Sequence, residues 1–332
     1  MADRNHQWRL ARRPAGEPTV DCFEWVESEL EPLSEGQVRV RNRWLSLDPY
    51  MRGRMDDARS YAPPQPLGAV MEGGTAGEVI ESRHPDFKPG DAVVGRLGWQ
   101  LFANASAREI RLIDINRVPM QTWLGAVGMP GVTAWYGVND ILAPEAGQTL
   151  VVSAASGAVG SVVGQLARLK GARVIGIAGG PEKCRIVVDE FGFDACVDYK
   201  AGRLASDLDD ALGGQRIDRL FENVGGACLD ACLARMNTFG RVAVCGLIAG
   251  YNGEPIALSN VRSILVNRLH VQGFIVSDQM PRWAPALAEL GELAASGRLR
   301  WRESIADGLA SAPQAFLGLL KGRNVGKQLV RL

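Results

Sequence analysis

Apolar and polar residues alternate with a period of two along much of residues 1–125, the pattern of strands with one buried face. Val38–Trp44 alternates in this way, Gly77–Ile80 enters a second strand, and Asp91–Gly95 follows a Pro-Gly turn. Turn formers at Pro63-Pro64-Gln65-Pro66, Gly73-Gly74 and Pro89-Gly90 divide the stretch into short strands. From about Gly125 to Ala294 the pattern changes to short apolar runs separated by helical periods. The runs predict strands at Leu150–Ser153, Arg173–Ala178, Ala195–Val197, Arg219–Glu222, Arg241–Gly246 and His270–Val276. Strands that alternate with amphipathic helices predict a doubly wound parallel sheet. Trp301–Leu332 returns to a short helix and a terminal strand, Lys327–Arg331. The expected fold is α/β, with a β-rich domain of residues 1–125 and 300–332 and a Rossmann domain of residues 126–299.

Within the second domain, Thr149–Lys183 reads as strand, glycine turn, helix and strand. A turn of this kind brings backbone close to a pyrophosphate and aims helix N–H groups at it. The first glycine of the usual G-x-G-x-x-G is Ala155 here, with Gly157 and Gly160 retained. The acid that holds an adenine-ribose 2′-hydroxyl is expected about 20 residues beyond the glycines. That place reads Ala178-Gly179-Gly180-Pro181, with Lys183 close behind. A cation without a competing carboxylate favours a 2′-phosphate, hence NADP over NAD.

Composition acts mainly by exclusion. The 332 residues allow two domains, and 46% hydrophobic residues supply their cores. Lys+Arg and Asp+Glu both total 37, so charge does not point to nucleic acid or an anionic membrane. No apolar run approaches the ~18 residues of a membrane span. The N-terminal MADRNHQWRLARRP has arginines but no apolar stretch, and Asp3 argues against a transit peptide. A cytoplasmic location is expected. Cys22, Cys184, Cys196, Cys228, Cys232 and Cys245 form no C-x-x-C pair and read as reduced, mostly buried thiols. Cys228 and Cys232 have the spacing of a helical metal chelate or of two core thiols. The three histidines, His6, His84 and His270, offer little to a metal, and His270 in LHVQGFIV reads as a core residue.

Six segments then occur in a recognisable order: LSLDPYMRGRM (Leu45–Met55), GMPGVTAWYG (Gly128–Gly137), AASGAVGSVVGQLARLKG (Ala154–Gly171), ENVGG (Glu222–Gly226), CGLIAGYN (Cys245–Asn252) and GRNVGK (Gly322–Lys327). Together they resemble the zinc-free medium-chain dehydrogenase/reductases. The nearest branch is the leukotriene B4 dehydrogenase, prostaglandin reductase and curcumin reductase group of NADPH-dependent enone reductases. The resemblance implies a GroES-like catalytic domain, a Rossmann domain, an active site in the cleft between them, and a homodimer. It places Gly157, Ala158, Val159 and Gly160 on the pyrophosphate turn and Lys183 and Tyr199 on the 2′-phosphate. Asn223, Cys245, Gly246, Leu247, Ile248, Tyr251, Phe274, Ile275 and Val276 fall on segments that line the nicotinamide and its ribose. Asn324 matches a tail residue that reaches the cofactor. Ser156 and Gly250 depart from the family's usual residues, and the loop after Asn252, GEPIALSN, is shorter than in many relatives.

The zinc ligands of metal-dependent relatives have no counterpart here, and the corresponding region reads Val70-Met71-Glu72-Gly73-Gly74. Alcohol oxidation without a Lewis acid lacks the group that stabilises an alkoxide. Reduction of a C=C bond conjugated to a carbonyl needs instead a donor at the developing enolate oxygen and a proton for the α-carbon. Tyr251 is the first candidate for contacting the nicotinamide ribose or substrate carbonyl, and Tyr50 the second. A phenol of ordinary pKa donates a hydrogen bond well but a proton reluctantly, which leaves the ribose hydroxyl or water as alternative proton sources. Arg52 and Arg54 are either guides for anionic substrates or ordinary surface arginines. Met55, Trp99, Met129 and Trp135 are either pocket wall or core. The reading is an NADPH-dependent enone or alkenal reductase acting on small molecules, with a zinc-free quinone oxidoreductase and a non-enzymatic NADPH-binding sensor as alternatives.

Overall fold

The computed structural model describes residues 4–332; Asp3 lies outside them. The chain divides into two compact units, Met1–Gly125 with Glu303–Leu332, and Ala126–Arg302.

The first unit begins with a hairpin of β1 (Arg4–Leu10) and β2 (Phe23–Glu29) and the long strand β3 (Gln37–Ser46). Pro49 then starts the short helix α1 (Tyr50–Arg54), followed by β4 (Thr75–Ser82), β5 (Ala92–Gly95), β6 (Phe102–Ser106) and β7 (Ile110–Leu112). In this region the structure settles one open alternative and overturns one expectation. Met55 and Trp99 are fully buried, Trp99 stacking on Phe23 with ring centroids 5.3 Å apart, so both are core and not pocket wall. Arg52 is only 2% exposed, donating to Asp56 Oδ1 at 2.7 Å and to the Gly16 carbonyl at 2.7 Å. It is therefore neither a surface arginine nor a free guide for substrates.

The second unit opens with α2 (Met129–Tyr136), which leads to the βα repeat β8 (Thr149–Ser153), α3 (Gly160–Leu169), β9 (Arg173–Ala178), α4 (Pro181–Asp189) and β10 (Ala195–Asp198). It continues with α5 (Leu204–Leu212), β11 (Ile217–Glu222), α6 (Gly226–Leu233), β12 (Met236–Val244), α7 (Arg262–Val266), β13 (His270–Gly273) and α8 (Trp283–Ala295). The sheet is parallel throughout, in the order β10-β9-β8-β11-β12-β13. Every residue of β8 is buried, as expected of a central strand covered on both faces. Glycine sets the helix distance: a Cβ on Gly164 of α3 would stand 1.9 Å from Phe193 Cζ.

Two predicted strands end early. β12 stops at Val244 because the Cys245 and Gly246 amides turn back to the Glu222 carbonyl, at 2.8 and 3.2 Å. β13 stops at Gly273, paired with Val244, because its partner has ended. His270, expected in the core, is exposed on this edge strand, its Nε2 3.3 Å from Gln272 Oε1. Trp135 is buried, donating to Glu289 at 2.7 Å with Arg282 over its ring, which assigns it to packing; Met129 is half-buried at the start of α2. Cys228 and Cys232 are buried on the apolar face of α6 among Leu229, Leu233 and Met236.

The tail supplies β14 (Glu303–Asp307), α9 (Ala312–Leu320) and β15 (Lys327–Arg331). β15 joins β3 antiparallel, completing the first unit's sheet β14-β15-β3-β4-β5-β7, with β6 paired to β3. The two sheets together make a two-domain α/β fold, one sheet mixed and the other a parallel Rossmann-type sheet.

Candidate active site

The turn after β8 is built by close backbone approach. Ala154 adopts φ 51°, a left-handed value for a residue with a side chain, and its carbonyl accepts the Gly157 amide at 2.9 Å. A Cβ on Gly160 would stand 2.4 Å from that carbonyl oxygen, so no larger residue fits without moving the turn. No side chain caps α3. Its first-turn amides are the groups that a pyrophosphate accepts at such a terminus. Ala158 and Val159 are half-buried along the same turn.

At the end of β9, the Tyr199 side chain lies against Gly179. A Cβ there would lie 2.9 Å from the Tyr199 hydroxyl, so the phenol rests against bare backbone. Lys183 is half-buried, and burial followed by the charge of Lys200 holds its pKa below the ordinary lysine value. Lys200 is a member of this cluster that sequence reasoning missed; its adjacency to Tyr199 was the available signal. Asp198 was missed as well. Its Oδ1 accepts the Gly180 amide at 2.7 Å and the Lys200 amide at 2.9 Å, fixing the two loops against each other. Two lysines, a phenol and a glycine floor suit an anion at the 2′ position of an adenosine.

The strand ends of β8, β11 and β12 meet in one polar knot. Glu222 is fully buried, and its Oε1 accepts Ser153 Oγ at 2.8 Å and the Val224 and Gly225 amides at 2.6 and 2.7 Å. Burial nevertheless raises its pKa above its ordinary value, outweighing those three donors. Asn223 donates through Nδ2 to the Ser153 carbonyl at 2.7 Å, and its own amide reaches Ser153 Oγ at 2.8 Å. The Cys245–Tyr251 segment is laid on this knot by Ile248 N to Asn223 O at 3.4 Å and Ala249 N to Val224 O at 2.9 Å. Burial pushes the Cys245 thiol up to about 12, with the Glu222 carboxyl adding to the effect. This leaves it an inert wall residue.

Tyr251 follows the short turn Ile248–Gly250 and is half-buried. Its hydroxyl folds back over Gly246, where a Cβ would stand 3.3 Å away. Leu247 packs over Gly225, and Ile256 of the shortened loop covers both Gly225 and Gly250; a Cβ on Gly250 would meet Ile256 Cδ1 at 3.0 Å. Ile256 was not singled out from sequence. Phe274 stands edge-on to Phe221 at 6.1 Å and tilted against Tyr136 at 5.5 Å, holding the chain where β13 has ended. Ile275 is half-buried, and Val276 is buried with its carbonyl accepting Trp283 Nε1 at 3.0 Å.

Tyr50 and Asn324 belong to the first unit. Burial, followed by the charges of Asp48 and Glu72, drives the Tyr50 phenol well above its ordinary pKa, and it shares a hydrogen bond with Arg96. Glu72 pairs with Arg54 at 2.8 Å and Arg96 at 2.7 Å. Arg54 is thus engaged and not a surface cation. Asn324 donates to the Gly326 carbonyl at 2.7 Å, shaping the turn before β15.

A family model described as the N-terminal domain of oxidoreductase matches residues 6–113, and one described as zinc-binding dehydrogenase matches residues 158–292. The NADPH-dependent curcumin reductase of Escherichia coli (strain K12) is 45% identical, the match covering 99% of this chain and 97% of that protein. The chain belongs to the medium-chain dehydrogenase/reductase family. Within it, the NADP(+)-dependent 2-alkenal reductase of Nicotiana tabacum is 39% identical over 90% of this chain and 88% of its own. The crystal structure of CurA from Vibrio vulnificus in complex with NADPH superposes with a TM-score of 0.92 at 42% identity, covering 99% of both chains. The description of the second family model raises the question of zinc. Among the described residues no three His, Cys, Asp or Glu side chains are grouped to hold a metal ion. Glu72 is taken by the guanidinium groups of Arg54 and Arg96, which oppose a cation there.

Proposed function

We propose that this protein reduces the C=C bond of α,β-unsaturated ketones and aldehydes with NADPH and without zinc. The observation that carries the reading is the convergence of three loops at the carboxyl edge of the parallel sheet. They are the Gly157–Gly160 turn, the Glu222–Gly226 loop and the Cys245–Tyr251 loop, with the Tyr251 hydroxyl over Gly246. In an open α/β sheet this edge is where a ligand binds. Whole-length likeness to curcumin and 2-alkenal reductases narrows the chemistry to conjugated carbonyls.

In this reading the Gly157–Gly160 turn takes the pyrophosphate and Lys183, Tyr199 and Lys200 the 2′-phosphate. Asn223, Cys245 through Ile248, and Phe274 through Val276 enclose the nicotinamide end. When bound, NADPH supplies a hydride for the β-carbon of the substrate. Tyr251 donates a hydrogen bond to the ribose or to the carbonyl oxygen, where negative charge collects. Tyr50, kept protonated beside Arg96, is a second donor, and Asn324 a further contact to the cofactor. The two structural units serve as the GroES-like catalytic and NADP-binding domains.

The assembly is a homodimer formed through the edge strand β13. Around it Leu265, Val271 and Phe239 are exposed, Leu265 at 79%, and a second copy is the natural cover for an apolar edge. A reducing, cytoplasmic setting agrees with six cysteines and no disulfide. Among the described residues no helix is long and apolar enough to cross a membrane. The test is NADPH consumption against a panel of enones, alkenals and quinones. Turnover of enones with loss of the conjugated double bond is expected. Exclusive quinone turnover assigns the protein to quinone reduction, and silence across the panel to cofactor sensing.

A further inference from the structure

Ser153, the last residue of β8, is fully buried, and its backbone is fixed by pairing with Ile177 of β9. Its hydroxyl donates to Glu222 Oε1 at 2.8 Å and accepts the Asn223 amide at 2.8 Å. Its carbonyl accepts Asn223 Nδ2 at 2.7 Å. One residue of a central strand therefore holds Asn223 twice, through the backbone and through the side chain. Glu222 Oε1 also accepts the Val224 and Gly225 amides, so it faces Ser153 as an acceptor and commits the hydroxyl hydrogen. That direction leaves the lone pairs of Ser153 Oγ for the Asn223 amide. Ser153 and Glu222 are both fully buried, so bulk solvent does not compete for these bonds.

A carbonyl can only accept, so the Asn223 group that faces Ser153 is the NH2. Among the described residues no donor meets Asn223 Oδ1, and the side chain is half-buried, open to a ligand. Asn223 also borders the first candidate for the chemistry. A Cβ on Gly246 would stand 3.3 Å from both the Asn223 carbonyl oxygen and the Tyr251 hydroxyl.

We propose that Ser153 is a positioning residue for NADPH, holding the Asn223 side chain so that Oδ1 accepts a hydrogen bond from the nicotinamide end of the cofactor. The proposal rests on the reading of this sheet edge as the nicotinamide site. Two groups at that end carry a donor, the carboxamide N–H and the ribose hydroxyls. Ser153 acts only through Asn223, because its hydroxyl and carbonyl are already taken by Glu222 and Asn223.

The experiment is isothermal titration calorimetry of the full-length protein with NADPH and with 2′,5′-ADP, which lacks the nicotinamide and its ribose. Ser153→Ala is expected to weaken NADPH binding about fivefold, the scale of one hydrogen bond between neutral groups, and Asn223→Ala at least as much. Both are expected to bind 2′,5′-ADP like the parent. The double substitution is expected to lose no more than Asn223→Ala alone, since Ser153 then has nothing to position. A reduced cofactor with an acetyl group in place of the carboxamide keeps the ribose hydroxyls and lacks the N–H. If Ser153→Ala weakens that analogue as it weakens NADPH, the donor is the ribose; if only NADPH is weakened, it is the carboxamide. Equal losses for NADPH and 2′,5′-ADP, or additive losses in the double substitution, give Ser153 a general structural role and overturn the proposal. A loss in Asn223→Ala without one in Ser153→Ala overturns it and leaves the nicotinamide reading standing. NADPH binding unchanged by Asn223→Ala overturns both.

Discussion

The Lys327 ammonium stands 3.0 Å from Asp48 Oδ1 and also donates to the Leu47 carbonyl at 2.5 Å, and both charged side chains are buried. The first residue of the C-terminal strand thus clamps the segment that leads into Tyr50. Asp48 also takes the Ser46 hydroxyl, so the buried carboxylate accepts from both Lys327 and Ser46. The arrangement explains in physical terms why LSLDPY and GRNVGK occur together in one chain. Removing one partner of such a buried pair strands the other charge and costs about 3–5 kcal/mol. Lys327→Ala is expected to lower the urea midpoint of the protein sharply, and Asp48→Asn to do so as well. The double substitution Lys327→Met with Asp48→Leu is expected to recover part of the loss, since no buried charge then lacks a partner. A Lys327→Ala midpoint equal to the parent's contradicts the clamp.

The lysines flanking Tyr199 give a cofactor prediction. Lys183→Ala is expected to weaken NADPH binding at least tenfold, about 1.4 kcal/mol, and to leave NADH binding unchanged. Lys200→Ala acts in the same direction with a smaller effect, because Lys200 is the more exposed of the two. Burial and Lys200 hold the Lys183 pKa below 10.5. The preference for NADPH should therefore decay with rising pH before an ordinary lysine would lose its proton. Fluorescence titration with both cofactors across alkaline pH reads all three effects.

Tyr251 is the residue whose loss should separate chemistry from binding. Its hydroxyl lies over Gly246, on the loop assigned to the nicotinamide end. Tyr251→Phe retains the ring and removes only the donor, so kcat for enone reduction should fall on the order of tenfold or more. NADPH affinity should stay within about twofold, a free-energy change well below that of a hydrogen bond to a charged group. An unchanged kcat would remove Tyr251 from the mechanism.

The parallel sheet was legible because its strands are short apolar runs bounded by turn formers, and β9 and β15 span the residues that periodicity marked. The ends of β12 and β13 were not, because Cys245-Gly246 and Phe274–Val276 are as apolar as the strands before them. What stops the ladder is the Glu222 carbonyl drawing two amides away, a contact across the sheet and not along the chain. His270 misled for the same reason: apolar neighbours describe a strand without saying that it lies at an edge. Arg52 and Arg54 read as substrate guides or surface charges because their partners Asp56, Gly16 and Glu72 are brought to them by folding. At the candidate site, glycines and motif residues were visible in sequence, whereas Lys200, Asp198 and Ile256 became visible only as neighbours of Tyr199, Gly180 and Gly250.

Glu222 supplies the pH prediction. Burial raises its pKa above the ordinary 4.5. The unfolded chain releases that proton near 4.5 and the folded chain only at higher pH, so between the two values the folded chain holds more protons. The contribution to stability is full below the unfolded value, declines as pH rises through the folded value, and is level above it. Each unit of displacement corresponds to about 1.4 kcal/mol. Glu222→Gln keeps an oxygen to accept from Ser153 Oγ, Val224 N and Gly225 N, but it cannot ionise. The melting temperature of the parent should therefore fall relative to that of Glu222→Gln as pH is raised from about 4 to about 8, and the two should run parallel once Glu222 has ionised. Glu222→Ala should be destabilised at every pH, because it leaves those donors without an acceptor. Parent and Glu222→Gln curves that run parallel from acid to neutral pH contradict a raised Glu222.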